Sequence, residues 1–109
     1  MAQKEIYEIC YYQGDDGAVP YTKWMRKCRD NLAKAKILAK IANFKLGNMG
    51  DHKMLGGGVY EARINYAKGY RIYYGIDQGK VVLILCAGEK STQKEDVEKA
   101  KEYWRDYQG

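Results

Sequence analysis

Three strand-like runs crowd into residues 60–86 of this 109-residue chain, and they constrain its fold more than any other feature. Tyr60 to Asn65 alternates, with Tyr60, Ala62 and Ile64 on one face and Glu61 and Arg63 on the other. Gly69 to Ile76 does the same and sets Arg71 and Tyr73 opposite Tyr70, Ile72 and Tyr74. A two-residue period is that of a half-buried strand. Val81 to Cys86 is apolar throughout, as suits a central strand covered on both faces. Asp77-Gln78-Gly79 supplies the turn before it.

The flanking segments read as one more strand and three helices. Lys4 to Tyr12 alternates and is rich in Ile and Tyr, and Gln13 to Ala18 is a loop. Pro20 stands where a helix begins, with Tyr21 to Arg29 as a short helix. Asp30 or Asn31 caps a second helix that runs to Leu46 and ends at Gly47-Asn48. On it Ile37, Leu38, Ile41 and Phe44 share one arc, with Lys36, Lys40 and Asn43 opposite, the pattern of a half-buried helix. Residues 47–58 are glycine-rich and irregular. Ser91 or Thr92 opens a last helix, where Thr92 and Glu95 have capping-box spacing and Val97, Ala100 and Trp104 form a narrow apolar stripe. The resulting order is β-α-α-β-β-β-α. It predicts an α+β fold, an antiparallel sheet packed by an N-terminal α-hairpin and a C-terminal helix.

A chain of this length makes one domain, residues 1–109, with a core large enough to need no disulfide or metal. Cys10, Cys28 and Cys86 form no C-x-x-C pair and read as buried, reduced thiols. His52 is the only histidine, so no metal site and no cofactor is expected. No run is long and apolar enough to span a bilayer, and Glu5 and Glu8 interrupt the one segment that could be a signal peptide. The expectation is a soluble cytoplasmic protein without a membrane partner. The net charge is +5, and it is uneven: residues 34–90 carry +6, the first 33 residues are neutral and the last 19 carry −1. Concentrated positive charge points to an anionic partner, nucleic acid before a membrane surface. A lysine-rich solvated surface would give the same count.

The chain lacks a phosphate-cradle motif, and Gly56-Gly57-Gly58 lacks the strand-before, helix-after context of one. One histidine cannot build a Ser-His-Asp or Cys-His arrangement, and Asp51 and Glu61 do not form a glycosidase pair. What remains is a cationic set of Lys53, Arg63, Arg71, Lys80 and Lys90, with His52 beside Lys53. If the loop from Asn65 to Gly69 closes symmetrically, Arg63 and Arg71 face each other. That is unfavourable unless an anion or carboxylate separates them. Glu61 could be that carboxylate, so a surface Arg–Glu network and a phosphate site are equally open at this point. Of the eleven tyrosines most belong to packing, but Tyr73 shares the Arg71 face and could stack on an unpaired base.

Four segments in order carry a specific likeness: Gly47 to Lys53, Leu55 to Ile64, Gly69 to Tyr74, and Cys86 to Gln93. Together they resemble the RelE/ParE superfamily of toxin–antitoxin toxins, and within it the HigB-like addiction module killer branch. The resemblance covers roughly residues 34–104. It implies a toxin that cleaves messenger RNA in the ribosomal A site, without metal or cofactor. Its partners would be the ribosome, mRNA and a cognate antitoxin, usually of helix-turn-helix type, with operator DNA bound only through the antitoxin complex. It implies catalytic roles for Arg71 and Lys90, and the candidates for RNA contact beside them are Arg63, Tyr73, Lys80 and Gln93. The sequence departs from RelE at Val59 and Glu61, where RelE has lysines, and near Asp96, where RelE has a tyrosine. Lys53 and His52 are therefore the candidates for the general base. A ParE-like gyrase inhibitor and a non-catalytic RNA- or antitoxin-binding module are the alternative readings.

Overall fold

The computed structural model describes residues 4–109. In chain order the elements are β1 (Glu8–Tyr11), α1 (Pro20–Lys27), α2 (Asn31–Lys45), β2 (His52–Gly56), β3 (Val59–Ile64), β4 (Tyr70–Asp77), β5 (Val81–Glu89), a 3₁₀ turn (Lys90–Thr92) and α3 (Gln93–Gln108). The fold is α+β, with a five-stranded mixed sheet in the order β1-β5-β4-β3-β2.

Two features correct the sequence reading. The sheet is not wholly antiparallel, because β1 pairs with β5 in parallel, Glu8 beside Val81 through Tyr11 beside Ile84. Strand alternation is local information, whereas the choice of neighbour for β1 is made across more than 70 residues. The glycine-rich segment also contains a strand. β2 pairs antiparallel with β3 from His52–Ala62 to Gly56–Val59, and the glycine triplet turns the hairpin. Gly56, Gly57 and Gly58 have φ of 87°, 65° and 88°, a left-handed run that glycine adopts at little cost and residues with a Cβ rarely do.

β5 is the interior strand that its composition predicts, buried from Val82 to Gly88 between β1 and β4. The α-hairpin of α1 and α2 covers one face of the sheet. There Ile37, Ile41 and Phe44 pack with Ala62, Ile72, Tyr74, Val82 and Ile84. Pro20 opens α1, and the Asp30 side chain caps α2 by accepting from the Ala33 N–H at 3.0 Å. One residue of the expected α2 arc is misplaced. Leu38 is not in the core but 55% exposed, because the buried stripe runs through Ala33, Ile37, Ile41 and Phe44 and leaves Leu38 on its far side.

α3 covers part of the other face, where Ala100 and Trp104 pack with Val59, Tyr73, Leu83 and Leu85. Gly75 makes this approach possible, since a methyl group there would overlap the Trp104 ring. The helix begins at Gln93, and the Thr92 hydroxyl donates to Asp96 at 2.6 Å rather than forming the expected box with Glu95.

Candidate functional site

β3 and β4 pair so that Arg63 lies directly across from Arg71 and Glu61 across from Tyr73. Cross-strand neighbours point to the same side of a sheet, so these four side chains share the α3 face. Facing arginines repel, and Glu61 lies between them. Its Oε1 accepts from Arg71 Nε at 2.6 Å and lies 3.7 Å from Arg63 Nε. Gln93, in the first turn of α3, donates Nε2 to both Glu61 oxygens at 2.9 and 3.2 Å. Glu61 is completely buried, which a carboxylate tolerates only with such a set of donors.

The Arg–Glu network therefore exists, and it leaves Arg71 a free edge. Nε is committed to Glu61 and Nη1 to the Gly69 carbonyl at 3.2 Å. Among the described residues Nη2 has no hydrogen-bond partner. The Gly69 carbonyl also accepts from the Lys90 N–H at 2.7 Å, which seats Lys90 beside Arg71. Gly69 has φ of 75°, and a side chain there would press on both Arg71 and Lys90. The outcome is a surface depression of about 320 Å³, lined by Asn65, Lys68, Gly69, Arg71 and Lys90 among others. Three cations around a concave surface attract an anionic group, and a guanidinium held from behind presents its remaining donors without reorganising.

The structure brings only some of the sequence-selected residues together. Lys53 is exposed on β2 directly across from Glu61, so it borders the cluster on the same face. His52 lies across from Ala62, a core residue of the opposite face, and the sheet separates it from Arg71. Its Nδ1–H donates to the Gly50 carbonyl at 2.8 Å. Lys80 occupies the turn beyond Asp77, and six strand residues place it about 20 Å from Arg71. Tyr73 does share the Arg71 face but is fully buried under α3, so it cannot stack on a base. Burial pushes its hydroxyl pKa up, with Glu61 and Asp96 adding to the shift. Gln93 is half-buried and holds Glu61 instead of projecting outward.

Glu61 is the organising residue that the sequence reading assigned no role beyond a possible partner. The signal was present, since it is the one acid on a strand face otherwise bearing Arg63 and Arg71. Asp96 lies over Gly88, where a methyl group would overlap its carboxylate. Burial raises its pKa, against the lowering effect of the Thr92 hydroxyl. Burial also pushes the Cys86 thiol up to about 12, which makes it a neutral packing group and not a nucleophile. Among the described residues no three His, Cys, Asp or Glu side chains come together as a metal-ligand set, and no helix is long and apolar enough to cross a membrane.

A family model described as "Phage derived protein Gp49-like (DUF891)" matches residues 23–105. An uncharacterized protein of Haemophilus influenzae is 42% identical over 81 residues, covering 74% of this chain and 82% of that protein. The family match takes in α2, the strands β2 to β5 and nearly all of α3, and so the whole Arg71–Glu61–Lys90 cluster.

Proposed function

The chain belongs to the phage-derived Gp49-like family, a family of toxin–antitoxin-related toxins, and on that premise we propose that it is an mRNA endoribonuclease of the RelE and HigB-like kind. It acts on messages held in the ribosome, in the cytoplasm, and is neutralised by a cognate antitoxin of helix-turn-helix type. Operator DNA is bound only through that complex. The observation that carries this reading is the Arg71 guanidinium, fixed from behind by buried Glu61 and opening onto a cationic depression beside Lys90.

The chemistry follows from RNA itself. The ribose 2′-oxygen forms a bond to the adjacent phosphorus and the 5′-oxygen leaves, giving a cyclic phosphate and a 5′-hydroxyl. The 2′-proton passes to a base, and the leaving oxygen takes up a proton. Negative charge builds on the non-bridging oxygens, where Arg71 and Lys90 stabilise it. Arg63, one-third exposed at the rim, adds a phosphate contact. Lys53 is the candidate for proton transfer, because it borders the cluster on the Arg71 face. So sparse a set of acid–base groups depends on substrate positioning, which a ribosome-bound message supplies.

The test is primer extension on a translated message, with growth arrest followed in parallel. Arg71→Ala should reduce cleavage by about 10²- to 10³-fold, the loss that follows removal of one such donor. Arg71→Lys should recover little, because an ammonium cannot hold Glu61 and a phosphate along two edges of one plane. A folded Arg71→Ala protein with wild-type cleavage would defeat the assignment. Growth arrest with intact messages and a loss of gyrase supercoiling would transfer the protein to the ParE-like class.

A further inference from the structure

The chain's positive charge is not concentrated where the candidate RNA site lies. Residues 20–46, the α-hairpin, hold eight lysines and arginines against a single acid, Asp30, a net +7 in a protein of net +5. The hairpin covers the sheet face opposite Arg71. Within it α2 is apolar on two opposite faces, separated by lysines. Its inner stripe of Ala33, Ile37, Ile41 and Phe44 meets the sheet, yet its outward arc is also apolar. Leu32 and Leu38 stand at the edges of that arc, 54% and 55% exposed. Ala35, Ala39 and Ala42 lie exposed between them, with Asn31 as the one polar residue. At 100° per residue the arc spans about 120°. Lys36 and Lys40 flank it on one side, Lys34 and Lys45 on the other, and α2 contains no acid.

A helix with apolar residues on two opposite faces normally covers both, and here only the inner one meets the sheet. We propose that the outward face of α2 is the docking surface for an acidic amphipathic helix of a separate protein, with an apolar stripe bordered by Asp and Glu. The alanines admit a second helix at close interaxial distance, the two leucines grip its apolar stripe, and the lysine borders meet its carboxylates. Charge decides among the occupants. A second copy of this chain would set lysine borders against lysine borders, +7 against +7. An RNA phosphate backbone would use the lysines but leave Leu32 and Leu38 in water. An acidic helix satisfies both the leucines and the lysines, and the hairpin's field speeds its encounter. This surface stands apart from the proposed RNA site and does not depend on it.

The experiment uses the full chain and a labelled, stapled helical peptide carrying a leucine stripe bordered by glutamates, followed by fluorescence anisotropy. A matched peptide with lysine borders is the control. The glutamate-bordered peptide should bind, with affinity that falls as salt rises, and the lysine-bordered one should not. The double variant Leu32→Glu/Leu38→Glu should weaken binding by on the order of tenfold or more, as expected for central apolar anchors. Both leucines are exposed, so circular dichroism and mRNA cleavage should be unchanged, which separates failure here from failure of the RNA reading. Lys34→Glu/Lys45→Glu should weaken binding by a smaller factor, most clearly at low salt. Absence of binding, equal binding of both peptides, or indifference to the leucine substitutions would overturn the proposal. So would tighter binding to phosphatidylglycerol vesicles or to single-stranded RNA that disappears in the same leucine variant.

Discussion

The two faces of the sheet solve different problems. On the hairpin face, Ala62, Ile72, Tyr74 and Ile84 meet Ile37 and Phe44, and apolar burial suffices. On the α3 face the same strands are apolar only beneath Trp104; farther along they carry Glu61, Arg63 and Arg71. There the chain buries a carboxylate and most of a guanidinium, and the arrangement survives because each has charged hydrogen-bond partners. A face stabilised by non-directional burial tolerates repacking, whereas one stabilised by directed pairs fails when a single partner is lost. The directed face is also the one with donors to spare for a ligand.

The largest break in that contrast should come from Glu61→Ala. It leaves Arg63 and Arg71 facing each other uncompensated, at a cost of about 3 kcal/mol, the lower end for a broken buried pair because Arg63 reaches solvent. Added phosphate should recover part of the lost melting temperature by entering between the arginines. A melt unchanged by the substitution would show that the network contributes nothing to the fold.

Next in size is Gly75→Ala. The new methyl group displaces the Trp104 ring and tilts α3 away from the apolar end of its face, costing about 1–3 kcal/mol as overpacking does. Near-ultraviolet circular dichroism and a urea titration read the two consequences together. An unaltered tryptophan signal with full stability would mean that α3 rests on the sheet through contacts other than this one.

Asp96→Asn should have the smallest effect and a defined sign. Burial raises the folded-state pKa of Asp96 above the ordinary aspartate value of 3.8, so the folded protein keeps that proton to higher pH than the unfolded chain. Its contribution to stability is therefore full below the unfolded pKa and is lost as pH rises through the folded one. The asparagine variant removes this slope and keeps an acceptor for the Thr92 hydroxyl. Its urea midpoint, followed from acid to neutral pH, should fall less steeply than that of the parent and match or exceed it at neutral pH. A steeper fall would place the pH dependence in another group.

Local chemistry was enough to read several elements from the residues. The alternation of Tyr60 to Asn65 and Gly69 to Ile76, the uniform burial of β5, the Asp30 cap and the Arg63–Arg71 opposition all follow from two-residue periods and short turns. These signals sit within a few residues of the structure they specify. Arg71 was legible for the same reason, but Lys90 reaches it from beyond the end of β5 and meets it at the Gly69 carbonyl, a contact that no local signal specifies.

Only the tertiary structure decided what lies across from each face. Nothing near Glu8 specifies that β1 joins β5 in parallel, because the pairing is chosen by a strand more than 70 residues away. Leu38 and Ile37 are neighbours of equal hydrophobicity, and only the docking angle of α2 sends one into the core and the other to the surface. Tyr73 looked available for stacking until α3 was laid over it, and Gln93 looked like a surface amide until it met Glu61. Periodicity assigns a side chain to a face of its own element. Which partner covers that face is a property of the whole chain's packing, where burial and pairing energies are summed over distant residues.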